Sequence, residues 1–147
     1  MFKFSRKIEY GILALQYMAG RKQELVSAKE IAENLELSFD FLAKTLQTLM
    51  KRGLVASHQG IHGGYLLAKD ADKISISEII RSLEKNISIV ECSPSIDEAS
   101  CSRMKNCTIR GPLLKIEKKM LLYLEQTSIA EISQHDKKTK LEIKIRN

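Results

Sequence analysis

The three cysteines of the chain lie in one polar stretch, at Cys92, Cys101 and Cys107, with the spacing C-x8-C-x5-C. An odd number of thiols cannot form a closed set of internal disulfides, so a ligand site is the better interpretation. Zinc sites use four ligands and tight cysteine pairs, whereas iron–sulfur clusters accept looser spacing because the inorganic core bridges the distance. The spacing therefore favours a cluster over zinc. The alternative is three unrelated cysteines, although polar neighbours such as Asp97 and Lys105 would bury them poorly.

The composition is that of a folded, basic protein. The chain has 147 residues, of which 44% are hydrophobic, and its 24 Lys and Arg against 18 Asp and Glu give a formal net charge of +6. This excess suits a polyanionic partner. The N-terminus superficially resembles a signal peptide, but Glu9 and Gln16 interrupt it and apolar residues recur there at helical spacing. We expect a cytoplasmic protein without a membrane anchor, in a compartment that keeps thiols reduced.

The first 52 residues predict three helices. Apolar residues at helical spacing predict the first helix from about residue 5 to 20. Ser27 with Glu30 forms a capping box that starts a short second helix to about residue 35. After the turn Glu36–Leu37, Ser38 can cap a third helix that ends near Arg52, ahead of Gly53. Two helices joined by so short a turn indicate a helix-turn-helix.

The third helix has two distinct faces. Leu42, Leu46 and Leu49 form an inward stripe at helical spacing. The opposite face is polar and mostly cationic, and it carries Asp40, Lys44, Thr48 and Lys51. An ordinary solvated surface would look the same, so this helix alone does not decide between the two interpretations.

The next segment favours a DNA-binding interpretation. Residues 54–59 and 65–68 are predicted strands, and the glycine-rich segment 60–64 joins them as the tip of a wing-like hairpin. Gln59 and His62 at this tip could approach a phosphate or the minor groove. Ser38, Asp40, Lys44 and Thr48 are then the residues expected nearest to base edges in the major groove, with Lys51 on the phosphate backbone.

The C-terminal third predicts an apolar helix that needs a partner. A capping box at Ser75 starts a helix to about residue 83 or 85, and Gly111-Pro112 marks the start of a long one. The apolar stripe of this long helix is too wide for a helix with its outer face in water, and it comprises Leu113, Ile116, Met120 and Tyr123, flanked by Leu114, Leu121 and Leu124. We expect it to pack both against the first helix and against a second copy of the chain.

The predicted fold is mainly α with a small β-hairpin wing, a winged helix-turn-helix followed by a long C-terminal dimerisation helix. We divide it into a DNA-binding domain (1–85), a cysteine-bearing loop (86–110), the dimerisation helix with a short docking helix (111–134) and a mobile basic tail (135–147). The sequence contains no phosphate-binding loop and no catalytic Ser-His-Asp or Cys-His set, so nothing indicates an enzyme.

These pieces, in this order, resemble the Rrf2 family of bacterial winged-helix transcription regulators. The resemblance rests on the segments Tyr10–Leu15, Ala32–Ser38, Leu49–Val55 and Gly60–Ala68, followed by three cysteines ahead of a long helix. It implies a homodimer that binds a near-palindromic site on double-stranded DNA. It also implies a [2Fe-2S] or [4Fe-4S] cluster, and the ligands carried over are Cys92, Cys101 and Cys107.

The fourth cluster ligand departs from one branch of that family. The branch that controls cluster assembly places a histidine three residues after the last cysteine, where this chain has Arg110. In the branch that senses nitric oxide, a carboxylate from the first helix of the partner completes the site, and Glu9 occupies that place here. The resemblance therefore suggests Glu9 as a ligand in trans; a plain surface glutamate is the alternative. The wide cysteine spacing leaves the cluster type open, with a preference for [4Fe-4S].

The expected function is a repressor whose operator binding is controlled by a cluster that senses iron, redox or nitric oxide status. One alternative is a transcription regulator that uses a thiol switch without a cluster. Another is a redox or metal-binding adaptor that acts through a protein partner.

Overall fold

The computed structural model describes residues 3–21, 24–84, 88 and 102–134. These residues form five helices and one hairpin: α1 (Arg6–Gly20), α2 (Ala28–Asn34), α3 (Phe39–Lys51), β1 (Val55–His58), β2 (Gly64–Leu67), α4 (Ile76–Leu83) and α5 (Arg110–Gln126). Residues 129–134 are also helical. Short 3-10 turns lie at Ala71–Lys73 and Met104–Asn106. The predicted fold class, mainly α with a hairpin wing, is confirmed.

Serine caps determine where most of these helices begin. The hydroxyls of Ser27 and Ser75 accept hydrogen bonds from the backbone N–H groups of Glu30 and Glu78, at 3.0 and 3.1 Å. These bonds satisfy two of the donors that a helix start leaves without partners. Both predicted capping serines therefore start helices where the sequence indicated.

The core lies where α1, α3 and α4 meet. Leu42, Leu46 and Leu49 on the inner face of α3 are fully buried, as predicted, and they belong to one cluster with Leu15 of α1 and Ile79 of α4. Since α3 is fixed along its whole inner face, its outer face has a defined orientation relative to the rest of the molecule.

The wing is a tight antiparallel hairpin. Val55 pairs with Leu67 at its base and His58 with Gly64 at its tip. Val26, ahead of α2, adds a bridge to Tyr65 through hydrogen bonds of 2.9 and 2.7 Å. A Cβ at Gly64 would lie 2.7 Å from the Val26 carbonyl oxygen, so only glycine allows the backbones to approach this closely. Strand β2 of the wing is thus paired with β1 on one edge and with Val26 on the other.

The C-terminal helix packs against α4. It begins at Arg110, so Pro112 occupies the third helical position rather than the first; its missing N–H costs nothing in that first turn. Leu124 joins the core cluster, and Arg81 of α4 pairs with Glu125 at 3.4 Å. The sequence had suggested α1 as the intramolecular neighbour, and the structure shows α4 in that role.

Beyond α5 the chain returns to the core. The Ile76 N–H donates to the Thr127 carbonyl and the Ile129 N–H to the Ile74 carbonyl, each at 2.9 Å, and Ile129 is fully buried. The C-terminal end of α5 is therefore fixed to the start of α4. In the parts of the chain that the structure describes, no helix is both long and apolar enough to cross a membrane.

Candidate nucleic-acid interface and cysteine site

The outer face of α3 presents charged side chains to solvent. Asp40, Lys44 and Lys51 are exposed. None of the three forms a side-chain hydrogen bond or ion pair with any residue that the structure describes. Because no intramolecular contact engages these groups, they are available to an external partner. This agrees with the exposure that the sequence pattern predicted.

Thr48 and Ser38 lie at the margins of this face. Thr48 is half-buried, and its hydroxyl donates to the Lys44 carbonyl at 3.0 Å, which leaves only its oxygen lone pairs for a ligand. Ser38 occupies the N-cap position of α3, but its hydroxyl makes no capping bond. The predicted helix start is correct, whereas the predicted capping bond is wrong. The exposed hydroxyl of Ser38 is therefore not used within the helix.

The wing tip lies next to the C-terminal half of α3. The Ser57 hydroxyl in β1 donates to the Met50 sulfur at 3.0 Å, which ties the hairpin to α3. Gln59 and His62 are both exposed, as expected of residues that contact DNA. Between them Ile61 is 99% exposed, the extreme among the large apolar side chains described. The hairpin and α3 thus form one continuous surface.

The sequence analysis missed two residues of this region. Gln47 is exposed and lies on the same face as Lys44 and Lys51, at i+3 and i−4 from them, and that spacing could have identified it. Tyr10 of α1 contacts the start of α3: the Ser38 N–H donates to its hydroxyl at 3.2 Å. No sequence pattern indicates the contact between Tyr10 and Ser38, because these residues lie 28 positions apart in the chain.

Cys107 borders an open cavity at the base of α5. The cavity has a volume of about 420 Å³ and is lined by residues 102, 103, 105–109. Two cations, Arg103 and Lys105, contribute to this lining. Cationic side chains suit a site for a negatively charged group. The half-buried Cys107 therefore has surroundings suited to a ligand.

A second feature near Cys107 also fits an anionic group. The Nε atom of Arg110, in the first turn of α5, is buried and has no hydrogen-bond partner among the residues that the structure describes. A buried donor without a partner is costly, and a negatively charged group bound next to it would satisfy it. The residues described around Cys107 are thus compatible with an iron–sulfur cluster held by cysteine thiolates, which carries net negative charge.

The remaining predicted cluster ligands lie in different situations. Glu9 is exposed in the first turn of α1, and among the described residues it has no ion-pair partner. Cys92 and Cys101 lie outside the described residues, as does the predicted basic tail 135–147. No three His, Cys, Asp or Glu side chains come together among the residues that are described.

The long helix exposes an apolar strip. Ile116 is 50% and Tyr123 67% exposed, and both belong to the stripe predicted to need a partner. Leu124, from the flanking set, packs into the core instead. The helix therefore has one apolar face toward its own chain and another toward solvent.

Comparison with known proteins gives consistent matches. A family model described as "Rrf2: Iron-dependent Transcriptional regulator" matches residues 4–135. The HTH-type transcriptional regulator NsrR of Shouchella clausii is 30% identical over 125 residues, covering 84% of this chain and 83% of that protein.

Two solved structures are similar over most of their length. CymR, described as the global cysteine regulator of B. subtilis, has a TM-score of 0.76 at 29% identity, covering 92% of this chain and 98% of that one. IscR of T. potens has a TM-score of 0.71 at 29% identity, covering 92% and 88%.

Proposed function

The chain belongs to the Rrf2 family of DNA-binding transcription regulators, and from this premise we propose that it is a repressor whose operator binding is controlled by an iron–sulfur cluster. The observation that carries the DNA-binding part is the exposed face of α3, with Lys44 and Lys51 unengaged by described residues, next to the exposed wing tip. Its relatives are transcription regulators, which are not enzymes.

In this proposal α3 enters the major groove. Its N-terminal residues Ser38, Asp40, Lys44 and Thr48 lie nearest the base edges, as in other helix-turn-helix proteins, and Lys51 contacts a phosphate. Gln59 and His62 reach the adjacent minor groove. Arg or Lys pairs best with guanine and amides with adenine, so Lys44 is the side chain suited to a guanine contact.

We also propose that the chain acts as a homodimer in the cytoplasm. The strip containing Ile116 and Tyr123 on α5 would pair with its counterpart on a second copy, as the exposed apolar area suggests. Two copies of α3 then demand a roughly palindromic operator with half-sites about 34 Å apart, or a multiple of that distance. The division into the segments 1–85, 86–110, 111–134 and 135–147 stands as part of this proposal.

The cluster would be held by Cys92, Cys101 and Cys107, with Glu9 of the second copy as the fourth ligand. When bound, such a group supplies a labile, redox-sensitive centre. The cations Arg103 and Lys105 line the same cavity as Cys107, and their charge would complement a negatively charged group there. Gain or loss of the cluster would rearrange residues 92–107 and so alter how α5, and with it the second copy, is placed.

Iron and acid-labile sulfide analysis of anaerobically purified protein tests the cluster. We expect both elements and a visible absorption band. Operator affinity should differ at least about fivefold between loaded and stripped protein, the lower end of ordinary allosteric coupling. Cys107→Ser should abolish the iron content, whereas Ser102→Ala, which changes another side chain of the same cavity, should not. Identical operator affinity of the loaded and stripped forms would contradict the proposal.

The surroundings of Cys107 also support a second candidate. Cys107 is half-buried and borders an open cavity, so an oxidant can reach it, and a thiol switch without iron would use it on the same DNA-binding fold. Colourless anaerobic protein without iron or sulfide, whose operator binding changes on thiol oxidation, would favour this candidate over the cluster.

A further inference from the structure

The start of α3 is built differently from the starts of the neighbouring helical segments. Each of these begins at a serine, and the hydroxyls of Ser5, Ser27, Ser75 and Ser128 all accept a hydrogen bond from a backbone N–H three residues later. The hydroxyl of Ser38 does not. Among the serine-started helices that the structure describes, only α3 therefore lacks its own capping bond.

The sequence of α3 also lacks the second half of the capping-box pattern. Ser27, Ser75 and Ser128 are each followed three residues later by a glutamate, as in that pattern. In that motif the glutamate carboxylate accepts a hydrogen bond from the backbone N–H of the capping residue. The corresponding residue of α3 is Phe41, which has no acceptor. The N–H of Ser38 must find its acceptor elsewhere.

A side chain from another helix supplies that acceptor. The Ser38 N–H donates to the hydroxyl of Tyr10 in α1 at 3.2 Å. The ring of Tyr10 also meets the ring of Phe41 edge to face, with centroids 5.0 Å apart and an interplanar angle of 80°. This is a favoured aromatic geometry. One side chain of α1 thus holds both the cap and the first turn of α3.

Helix α1 is a rigid base for this contact. Gly11, next to Tyr10, is buried against α4, and a Cβ there would lie 2.6 Å from the Leu83 side chain. On the following turns Ala14 and Leu15 are fully buried. Since α1 is packed closely on α4, the position of Tyr10 is set by the core and not by solvent.

We propose that Tyr10 is a positioning residue for operator recognition: by holding the first turn of α3 through Ser38 and Phe41, it sets where the base-reading side chains enter the major groove. This inference rests on the proposed function of α3 as the reading helix. It also assigns a role to the exposed hydroxyl of Ser38, which is left for a DNA contact because Tyr10 and not a capping bond fixes the helix start.

The role of Tyr10 should appear in specificity more than in overall affinity. The N-terminal residues of a recognition helix contact base edges, and those hydrogen bonds weaken steeply with misalignment. Phosphate contacts, which dominate nonspecific binding, depend mainly on charge and tolerate small displacements. A looser start of α3 should therefore reduce discrimination between operator and random duplex while leaving the affinity for random duplex unchanged.

Tyr10→Phe tests this directly, because it removes the hydroxyl and keeps the ring. An operator is first selected from a random duplex library with the wild-type protein, and both duplexes are then titrated at fixed salt. We expect the ratio of operator to random affinity to fall at least about fivefold, the smaller effect of one disturbed base contact. The backbone N–H of Ser38 should also exchange with solvent faster, since it loses its acceptor.

Tyr17→Phe is the matched control. Tyr17 lies on the same helix, and its hydroxyl donates to Glu30 of α2 at 2.9 Å and accepts from Arg21. This variant loses at least as many hydrogen bonds but leaves the start of α3 intact, so it should lower thermal stability without changing the specificity ratio.

The outcomes separate the inference from the function on which it rests. An unchanged specificity ratio in Tyr10→Phe, or an equal fall in both tyrosine variants, would overturn the role of Tyr10 while the DNA-reading proposal stands. A wild-type protein that selects no operator at all would remove the proposed function, and the inference with it.

Discussion

Lys44 and Lys51 lie two helical turns apart on the exposed face of α3, and their positions along the helix give them different tasks. Lys44 is near the N-terminal half, which faces base edges in a helix-turn-helix, whereas Lys51 is the last residue of the helix. A base contact depends on the sequence and a phosphate contact does not. The two lysines should therefore respond differently to the same substitution.

Lys44→Ala should change which operators the protein prefers, and Lys51→Ala should weaken binding to all duplexes alike. Loss of one phosphate contact should also reduce the slope of log affinity against log salt by about one unit. Titrations of a panel of single-base operator variants at several salt concentrations measure both effects. Equal losses on every sequence for both variants would remove Lys44 from base reading.

For individual residues, the sequence predicted which side chains of α3 are exposed, but it did not predict which residues they contact. Helical spacing was enough to place Asp40, Lys44 and Lys51 on the outer face, because a period of 3.6 residues fixes the direction of each side chain. It could not show that Tyr10 supplies the acceptor for Ser38, since this depends on how α1 packs across α3.

The turn between α2 and α3 holds one residue in an unfavourable backbone conformation. Glu36 has φ of +54°, in the left-handed region that favours glycine. For other L-residues this conformation costs roughly 1 to 2 kcal/mol. The sequence placed the turn correctly at Glu36–Leu37, but nothing about a glutamate indicates a positive φ. The tight turn between the two helices imposes it.

Glu36→Gly should raise the free energy of unfolding by about 0.5 to 1 kcal/mol, the relieved strain less the greater chain entropy of glycine. Chemical denaturation with urea measures this. Glu33→Gly, inside α2 and three residues earlier, is the same change in a helical conformation and should lower the free energy of unfolding by about 1 kcal/mol. A destabilised Glu36→Gly would contradict the expected relief of strain.

Element boundaries followed closely from capping patterns, because a serine with a glutamate three residues on specifies a helix start locally. The helix against which α5 packs did not follow from the sequence. Its apolar residues cover more than one face, and sequence alone does not say which face meets α4 and which stays exposed. The observed division, with Leu124 inward and Ile116 outward, comes from tertiary packing.

For the whole molecule, the exposed strip on α5 predicts the effect of a charge placed within it. Ile116→Glu should raise the dimer dissociation constant at least about 100-fold, since each copy loses the burial of one isoleucine, worth about 1.5 kcal/mol or more. Sedimentation at several concentrations measures the change, with circular dichroism to confirm folding. Lys118→Glu, at an exposed position on the opposite side of the same helix, should leave the dimer intact.

A dimer that resists Ile116→Glu, or dissociates equally with Lys118→Glu, would contradict the proposed interface. The proposed cysteine site also depends on the whole molecule. Its three thiols were proposed as ligands from the sequence because residue type and odd number restrict the chemistry. A fourth ligand supplied by a second copy would leave no spacing pattern within one chain, so Glu9 was proposed from the family resemblance alone.

The chain segment that follows α5 fixes the C-terminal end of that helix. Backbone hydrogen bonds from residues 127–129 to residues 74–76 hold its C-terminal end. The helix is about 25 Å long and α4 only about 12 Å, so α4 can pack along no more than about half of it. A tilt of about 5° at the fixed end displaces the other end by about 2 Å. A small tilt of α5 about its C-terminal end would thus displace its N-terminal end, which follows Cys107, by an atomic-scale distance.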